Sequence, residues 1–500
     1  MNILIDTNIF IYFEDFRVLD DSYTNLYQIC SKFNHDLFLH PASFEDIAKD
    51  KNEERKNVSL SKLLKYNILE NPPLPQANEI GNLGLKESSD NDRIDNLILY
   101  ALYKNCVNLL ITQDIGIIKK ARKLGIDHRV MYVQQALHTF KQLHISHSVA
   151  YPTMIKKYLY ELNKEDDIFN SLKIDYPEFD HWFKTVSQER RECWIHSYSE
   201  EQGIGGILIY KDENNPIVTN DDRGLRGKIL KISTFKIAEY AQGLKLGELF
   251  IKTIFSYAVK NEYDFVYLTT RVDRQEYLVN LIEDFGFYNY GICSENRDGV
   301  YVKSVGLKQD ENNKLSSLDF HRKFSPSILC RRDIKKFIVP IQPAYHNILF
   351  PEIEENKRLF YTHPSAGNTI KKAYLSHAKI KNIDCGDLLL FYRSHDKKAI
   401  TTLAIVEKMF ISTELDVILE EVAKRTVYSY EDIKKMAEKE THIILFRLVG
   451  HFEESFISNK WLIEHTSYKN CQSICSIDNT SFNKILEQGK LNYCMDEVNI

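Results

Sequence analysis

Through its first 140 residues the chain keeps returning to a short apolar run that stops at a polar residue and gives way to a helical pattern. Asn2–Ile5 reads as a strand, Tyr23–Phe33 as a helix, Asp36–Leu39 as a strand, and Glu45 to Leu64 as largely helical. A loop with Pro72, Pro73 and Pro75 breaks the pattern. Beyond it Asp92–Asn105 reads as a helix, Asn108–Ile111 as a buried strand and Ile115–Leu124 as a helix. Such alternation predicts a parallel sheet with helices packed on it.

At 500 residues the chain is too long for one core, and about three domains at roughly 150 residues each are expected. Residues 1–140 form the first, and 141–174 read as a connecting helical segment. A second α/β unit spans 175–308, with strands near Ile204–Tyr210, Lys228–Phe235 and Asp264–Thr269 and a helix over Leu246–Val259. The polar run QDENNKLSS makes 309–319 a linker. Residues 320–500 are richer in short strands, at Asp387–Tyr392, Ile400–Val406 and His442–Val449.

Composition excludes some classes. With 43% hydrophobic and 27% charged residues, extensive disorder is not expected. A net charge of −5 gives no global nucleic-acid signature, although one basic patch can coexist with it. No run of eighteen apolar residues is present, so no membrane span is expected. Nine cysteines without a secretory leader read as reduced thiols of a cytoplasmic protein. Only Cys471 and Cys475 are close together, with no second pair to complete a zinc site.

Carboxylates stand where the apolar runs of the first domain end. Asp6 ends the first strand, Glu45 and Asp46 start a helix in FEDI, Asp92 and Asp95 precede the helix of NDRIDNLILYAL, and Asp114 ends LLITQD. In a parallel sheet these positions share one edge, where ligands bind. Converging carboxylates repel unless a cation neutralises them, and hard oxygen ligands suit Mg²⁺ or Mn²⁺. LIDTNIFIY, FEDI, DNLILYAL and LLITQD, in that order, resemble the PIN domain, a family of metal-dependent ribonucleases. The resemblance implies that Asp6, Asp95, Asp114 and either Glu45 or Asp46 hold the metal and act in catalysis, beside Thr7, Asn8 and Thr112. Asp92 is an accessory ligand or a helix N-cap.

In the second unit, LKISTFKIAEYAQGLKLGELFIKTIFSYAV passes from strand through a polar turn to an amphipathic helix. Backbone N–H groups at such a helix start can bind a pyrophosphate. The turn Gln242-Gly243-Leu244-Lys245-Leu246-Gly247 resembles the acetyl-CoA loop of the GNAT acetyltransferases, Arg/Gln-x-x-Gly-x-Gly/Ala, with Lys245 in place of the middle glycine. The resemblance implies an α+β fold and acetyl-CoA held by Gln242, Gly243, Lys245, Leu246 and Gly247. Lys245 departs from the pattern, and its ammonium can meet phosphate directly. Where the family often carries a tyrosine, four residues before Gly286, this chain has Ile282; Tyr277, Tyr288 and Tyr290 are the nearby alternatives.

In the third region the order AGN-helix-GDLLLFY, ITTLAIVEK, IILFRLVG resembles PUA-like barrels of the ASCH or EVE kind, which usually bind RNA or modified bases. Tyr392 and Trp461 can stack on a base while Lys371, Lys372 and Arg393 meet phosphates. RTVYSYEDI is a contact loop or a helix entry capped by Ser429.

The expected fold class is thus α/β multidomain: a PIN-like parallel sheet, a GNAT-like α+β domain and a PUA-like β-barrel with helices. The first functional reading is a Mg²⁺- or Mn²⁺-dependent ribonuclease fused to an acetyl-CoA-binding domain and an RNA-binding module. Its partners are RNA and, in a toxin–antitoxin or phage-defence setting, a protein antitoxin or regulator, with two copies pairing as a homodimer. A second reading makes the chain an N-acetyltransferase acting on RNA, charged tRNA or protein. A third is a non-enzymatic RNA-binding regulator.

Overall fold

Ile3, Leu4 and Ile5 are fully buried, and the strand they form lies in the middle of a five-stranded sheet. The structure, a computed structural model, describes residues 1–14, 21–48, 56, 59, 62–63, 66–145, 154–199, 203–271, 275–293, 298–305, 315–353, 369–378, 382–452, 456–469, 472–491 and 494–495. The chain divides into two compact units, Met1–His147 with Ser412–Thr441, and Ser148–Ile411 with His442–Ile500.

In the first unit β1 (Asn2–Ile5), β2 (Asp36–Leu39), β3 (Asn67–Ile68), β4 (Leu109–Ile111) and β5 (Val130–Met131) pair in the order β3-β2-β1-β4-β5, all parallel. The helices are α1 (Thr7–Glu14), α2 (Asp21–Lys32), α3 (Ala42–Ala48), α4 (Ala77–Asn82), α5 (Asp90–Tyr103), α6 (Ile115–Lys123) and α7 (Val133–His144). On α5, Ile94, Ile98, Ala101 and Leu102 recur at helical spacing and pack with Leu4 and Leu110. Strand order reverses between β1 and β4, and Ile5 stands opposite Ile111. The C-terminal ends of the two strands are therefore level at the switch point where open α/β sheets bind ligands. Of the helix expected from Glu45 to Leu64, α3 supplies Ala42–Ala48; residues 49–55, 57–58, 60–61 and 64–65 lie outside the described residues.

The second unit begins with a mixed sheet. Its elements are β6 (Met154–Tyr158), α8 (Asn170–Asp175), α9 (Phe179–Gln188), β7 (Glu192–Ser199), β8 (Gly203–Asn214), β9 (Lys228–Ile237), α10 (Leu246–Lys260), β10 (Phe265–Thr270), α11 (Glu276–Asp284), β11 (Tyr288–Ile292) and β12 (Gly299–Ser304). The order is β11-β12-β10-β9-β8-β7-β6, parallel between β9 and β10 and antiparallel elsewhere. The described part of residues 141–174 is therefore not a connecting helix: α7 ends at His144 and β6 pairs with β7 in this sheet, while 146–153 lie outside the described residues. Pairing with β7 decides the matter, because MIKKY alone carries no clear period.

The rest of the unit holds α12 (Ser317–Phe324), β13 (Ile328–Leu329), β14 (Lys336–Ile341), α13 (Pro343–Leu349), β15 (Lys371–Ser376), β16 (Leu388–Arg393) and β17 (Ala399–Ser412). The chain then contributes α14 (Leu415–Val422) and α15 (Tyr430–Ala437) to the first unit and returns with β18 (Thr441–His451). After β19 (Ile457–Ser458) come α16 (Asn459–His465), β20 (Cys475–Ile477), α17 (Asn479–Gln488) and β21 (Cys494–Met495). The sheet β15-β18-β17-β16-β14-β20, with β19 on β17, curls into half a barrel. The closed barrel expected from sequence is corrected: among the described residues β15 and β20 remain its two edges.

The helix expected after AGN is also corrected. Lys371–Ser376 is a strand, paired antiparallel with β18, which buries Lys372, Ala373 and Leu375; Ala366, Gly367 and Asn368 lie outside the described residues. So do 309–314 of the expected linker, and α12 begins within its remainder, at Ser317. Ser429 caps α15, its hydroxyl accepting from the Asp432 N–H at 3.1 Å, so RTVYSYEDI is a helix entry. Cys330 is disulfide-bonded, which corrects the reading of all nine cysteines as reduced; Cys471 lies outside the described residues. Among the described residues no helix is long and apolar enough to cross a membrane.

Candidate functional site

Asp6 leaves β1 at the switch point, and its carboxylate is buried there. It accepts from the Thr112 hydroxyl at 2.6 Å and from the Thr7 N–H at 2.7 Å. Burial pushes its pKa up to about 7, against the lowering effect of the Thr112 bond, and Asp95 and Asp114 push the same way. Asp95, on α5, rises to about 6, also mainly through burial, with Lys120 opposing and Asp114 adding to the rise. Asp114 is the N-cap of α6, accepting from the Ile117 N–H at 3.1 Å. The fold thus brings Asp6, Asp95 and Asp114 within electrostatic reach of one another.

Glu45 is ion-paired with Arg93, and Asp46 is half-buried one residue farther along α3. Ser89, not Asp92, caps α5; Asp92 accepts from Lys120 Nζ at 3.0 Å, and Lys120 also reaches Asp95 at 3.4 Å. Among the described residues no group of three or more His, Cys, Asp or Glu is arranged to hold a metal ion. Lys120 supplies the positive charge at this edge instead. The expected Mg²⁺ or Mn²⁺ site is thus not supported among the described residues.

The second candidate site lies where β9 and β10 part. They are paired from Ile229 opposite Phe265 to Ile232 opposite Leu268, and β9 then runs on through Ser233–Ile237 without β10. On its other side β9 pairs Ile232 with Tyr210 and Thr234 with Ile209, leaving Ser233 as the extra residue of a β-bulge. A bulge bends and twists its strand, so the ladder opens at that point. Ser233–Ile237 are only half-buried. Their edge toward β10 offers main-chain groups to an extended ligand.

The loop after β9 leads to α10. Lys245, its N-cap, has φ 59° and ψ 24°, and its side chain makes no capping hydrogen bond. This left-handed conformation is the one that glycine serves at no steric cost. Lys245 therefore adopts a turn that favours glycine, at a cost of roughly 1 kcal/mol. Gln242 is exposed, Gly243 also has positive φ, and Leu246 is buried in the core. A Cβ on Gly247 would come within 2.5 Å of Leu281 Cδ2, so this glycine serves the packing of α10 on α11.

Ile282 is fully buried; Tyr277 and Tyr288 are exposed, and Tyr290 donates to the Gly224 carbonyl at 3.1 Å. Two residues near the opening escaped the sequence reading. Lys236, half-buried on β9, donates to Ser171, and burial holds its pKa below the usual lysine range. Glu248, in the first turn of α10, accepts from the Ile370 N–H at 3.1 Å. Glu248 is visible in sequence as the acid after LKLG, but its distant partner is not.

The residues predicted to meet RNA have neighbours within the fold. Lys371 pairs with Asp284 at 3.6 Å, and Lys372 is fully buried. Tyr392 is a core residue beside Tyr468, and buried Arg393 is bonded to Asp396 and Asn347. Trp461 is half-buried and stacked on His465, ring centroids 4.9 Å apart.

The model of the Acetyltransferase (GNAT) family matches residues 156–287, from within β6 to Phe287. It begins earlier than the 175 read from sequence, because β6 belongs to the same sheet. No curated protein matches the chain. Among solved structures the chain is similar to ASCH from Zymomonas mobilis (12% identity, 31% of this chain and 96% of that one, TM-score 0.25). It is also similar to a GNAT-family acetyltransferase from Listeria monocytogenes (15%, 30% and 94%, TM-score 0.22). A third is the NatC complex bound to Gag peptide and CoA (14%, 30% and 95%, TM-score 0.20). At these identities and TM-scores none of the likenesses bears on activity. A GNAT acetyltransferase domain is thus present, and no finding supports a PIN ribonuclease.

Proposed function

We propose that the chain is an acetyl-CoA-dependent N-acetyltransferase whose working part is the GNAT domain of residues 156–287. One observation carries this reading: the family match falls on a sheet whose two parallel strands part at a bulge, beside a left-handed turn that opens a helix. Acetyl-CoA, when bound, supplies an acyl group activated as a thioester. The edge of Ser233–Ile237, unpaired with β10 among the described residues, suits its extended arm, and the first-turn N–H groups of α10 with the Lys245 ammonium suit its phosphates. The acceptor is an amine, whose nitrogen forms an amide as the carbon–sulfur bond breaks and the thiol leaves with a proton. RNA, charged tRNA and protein are the acceptor classes to try. With radiolabelled acetyl-CoA, the full chain should release thiol and move label into one of the three. The absence of both label transfer and acetyl-CoA binding would sink the reading.

A second reading, RNA hydrolysis at the acidic edge, is favoured by the mutual influence of Asp6, Asp95 and Asp114 and by Thr7 Oγ1 and Asn8 Oδ1, which are buried without a hydrogen-bond partner among the described residues. An antitoxin or regulator, a paired copy, and RNA held by the C-terminal sheet belong to that reading. RNA cleavage by the wild type in Mg²⁺ or Mn²⁺ buffer, abolished in Asp6→Asn, would support it; equal cleavage by both would end it.

A further inference from the structure

Glu248 stands three residues into α10, in the turn whose N–H groups suit an anion, and brings a carboxylate to that turn. It does not close the helix as a cap. One oxygen accepts from the Ile370 N–H at 3.1 Å, and the other lies 3.7 Å from Lys245 Nζ. Both side chains are largely shielded, 17% exposed for Lys245 and 13% for Glu248. Ile370 is itself fixed, since its carbonyl accepts from the Leu448 N–H at 2.8 Å and so extends the β15–β18 ladder. The neighbouring helix is tied to the same two strands: Asp284 at the end of α11 pairs with Lys371, and its carbonyl accepts from Arg447 at 3.1 Å.

We propose that Glu248 is a positioning residue that ties the cofactor loop to the edge of the C-terminal half-barrel and competes with the phosphates of an acyl-CoA for Lys245. The proposal rests on the acetyltransferase reading. A bound pyrophosphate and Glu248 repel each other across one ammonium, and the Ile370 N–H keeps the carboxylate turned toward β15. Displacement of Ile370 would leave Lys245 as the only partner of Glu248 among these three and weaken cofactor binding. The half-barrel thereby tunes the acetyltransferase through one hydrogen bond.

The test is calorimetric titration of the full chain with CoA and, separately, with S-acetylpantetheine, which lacks the pyrophosphate. Glu248→Gln keeps an acceptor for Ile370 and removes the charge. It should bind CoA about three- to five-fold more tightly than wild type at low salt, with the gain shrinking as salt rises. S-acetylpantetheine binding should not change. Lys245→Met should weaken CoA binding and erase the gain from Glu248→Gln, and this variant decides the matter if Glu248→Gln misfolds. Wild-type binding with no change in either variant would overturn the competition alone. No CoA binding by the wild type would overturn the acetyltransferase reading and the competition together.

Discussion

Gly247 and Leu281 meet so closely that a Cβ on the glycine would stand 2.5 Å from the leucine Cδ2. This contact sets α10 against α11 beside the opening between β9 and β10. The atom in the way is the end of a flexible side chain, so Gly247→Ala should be tolerated. The Leu281 rotamer shift offsets about 1 kcal/mol of helix propensity gained. Gly247→Trp has no such escape and should destabilise the second unit by roughly 1–3 kcal/mol. Denaturant unfolding of the two variants checks the contrast.

Lys245→Gly should raise stability by up to about 1 kcal/mol, because the left-handed conformation ceases to cost a side chain. The loss of its ammonium should at the same time weaken CoA binding. A thermal shift upward without ligand, combined with a smaller ligand-induced shift, is the expected pair of readings.

Asp6 gives the first unit a pH dependence. Its carboxyl holds a proton to about pH 7 in the folded chain, against 3.8 as the ordinary value. Between those values the folded state binds more protons than the unfolded one, so stability falls as pH rises through this window. Asp6→Asn should therefore stabilise the unit at pH 8, by roughly 2–4 kcal/mol, and the gain should vanish near pH 4. Melting curves at the two pH values measure it.

Much of the first unit is legible because polar residues punctuate it. β1 and β2 have the bounds that NILI and DLFL suggest, and a parallel sheet forces Asp6 and Asp114 to one edge. β3 and β5 are two residues each, too short to show a period. In the second unit the bulge at Ser233 leaves no mark in LKISTFKI, since it is defined only by the register with β8. The buried cations were likewise hidden. Lys303 donates to the Lys323 carbonyl at 2.7 Å at the end of α12, and Arg447 reaches Glu407 at 3.3 Å. Lysine and arginine are rarely buried, and the groups that hold these two lie far away in sequence.

The helices inserted between β17 and β18 provide a fourth prediction. Glu420 on α14 accepts from Asn108 Nδ2 at 2.8 Å and lies 3.5 Å from the buried Arg129. Arg129 keeps its bonds to Asn105 and to the Asn108 carbonyl. Glu420→Leu should therefore cost only about 1–3 kcal/mol, with faster amide exchange at Val130 and Met131. An unchanged exchange pattern there would show that this pair does not help to hold the insertion.

The central claim, that an acyl-CoA lies where β9 and β10 part, is tested most directly by amide hydrogen exchange of the full chain with and without acetyl-CoA. The expected result is protection confined to Ser233–Ile237 and to the first turn of α10 around Leu246–Leu249. Protection elsewhere, or none at saturating acetyl-CoA, would contradict it.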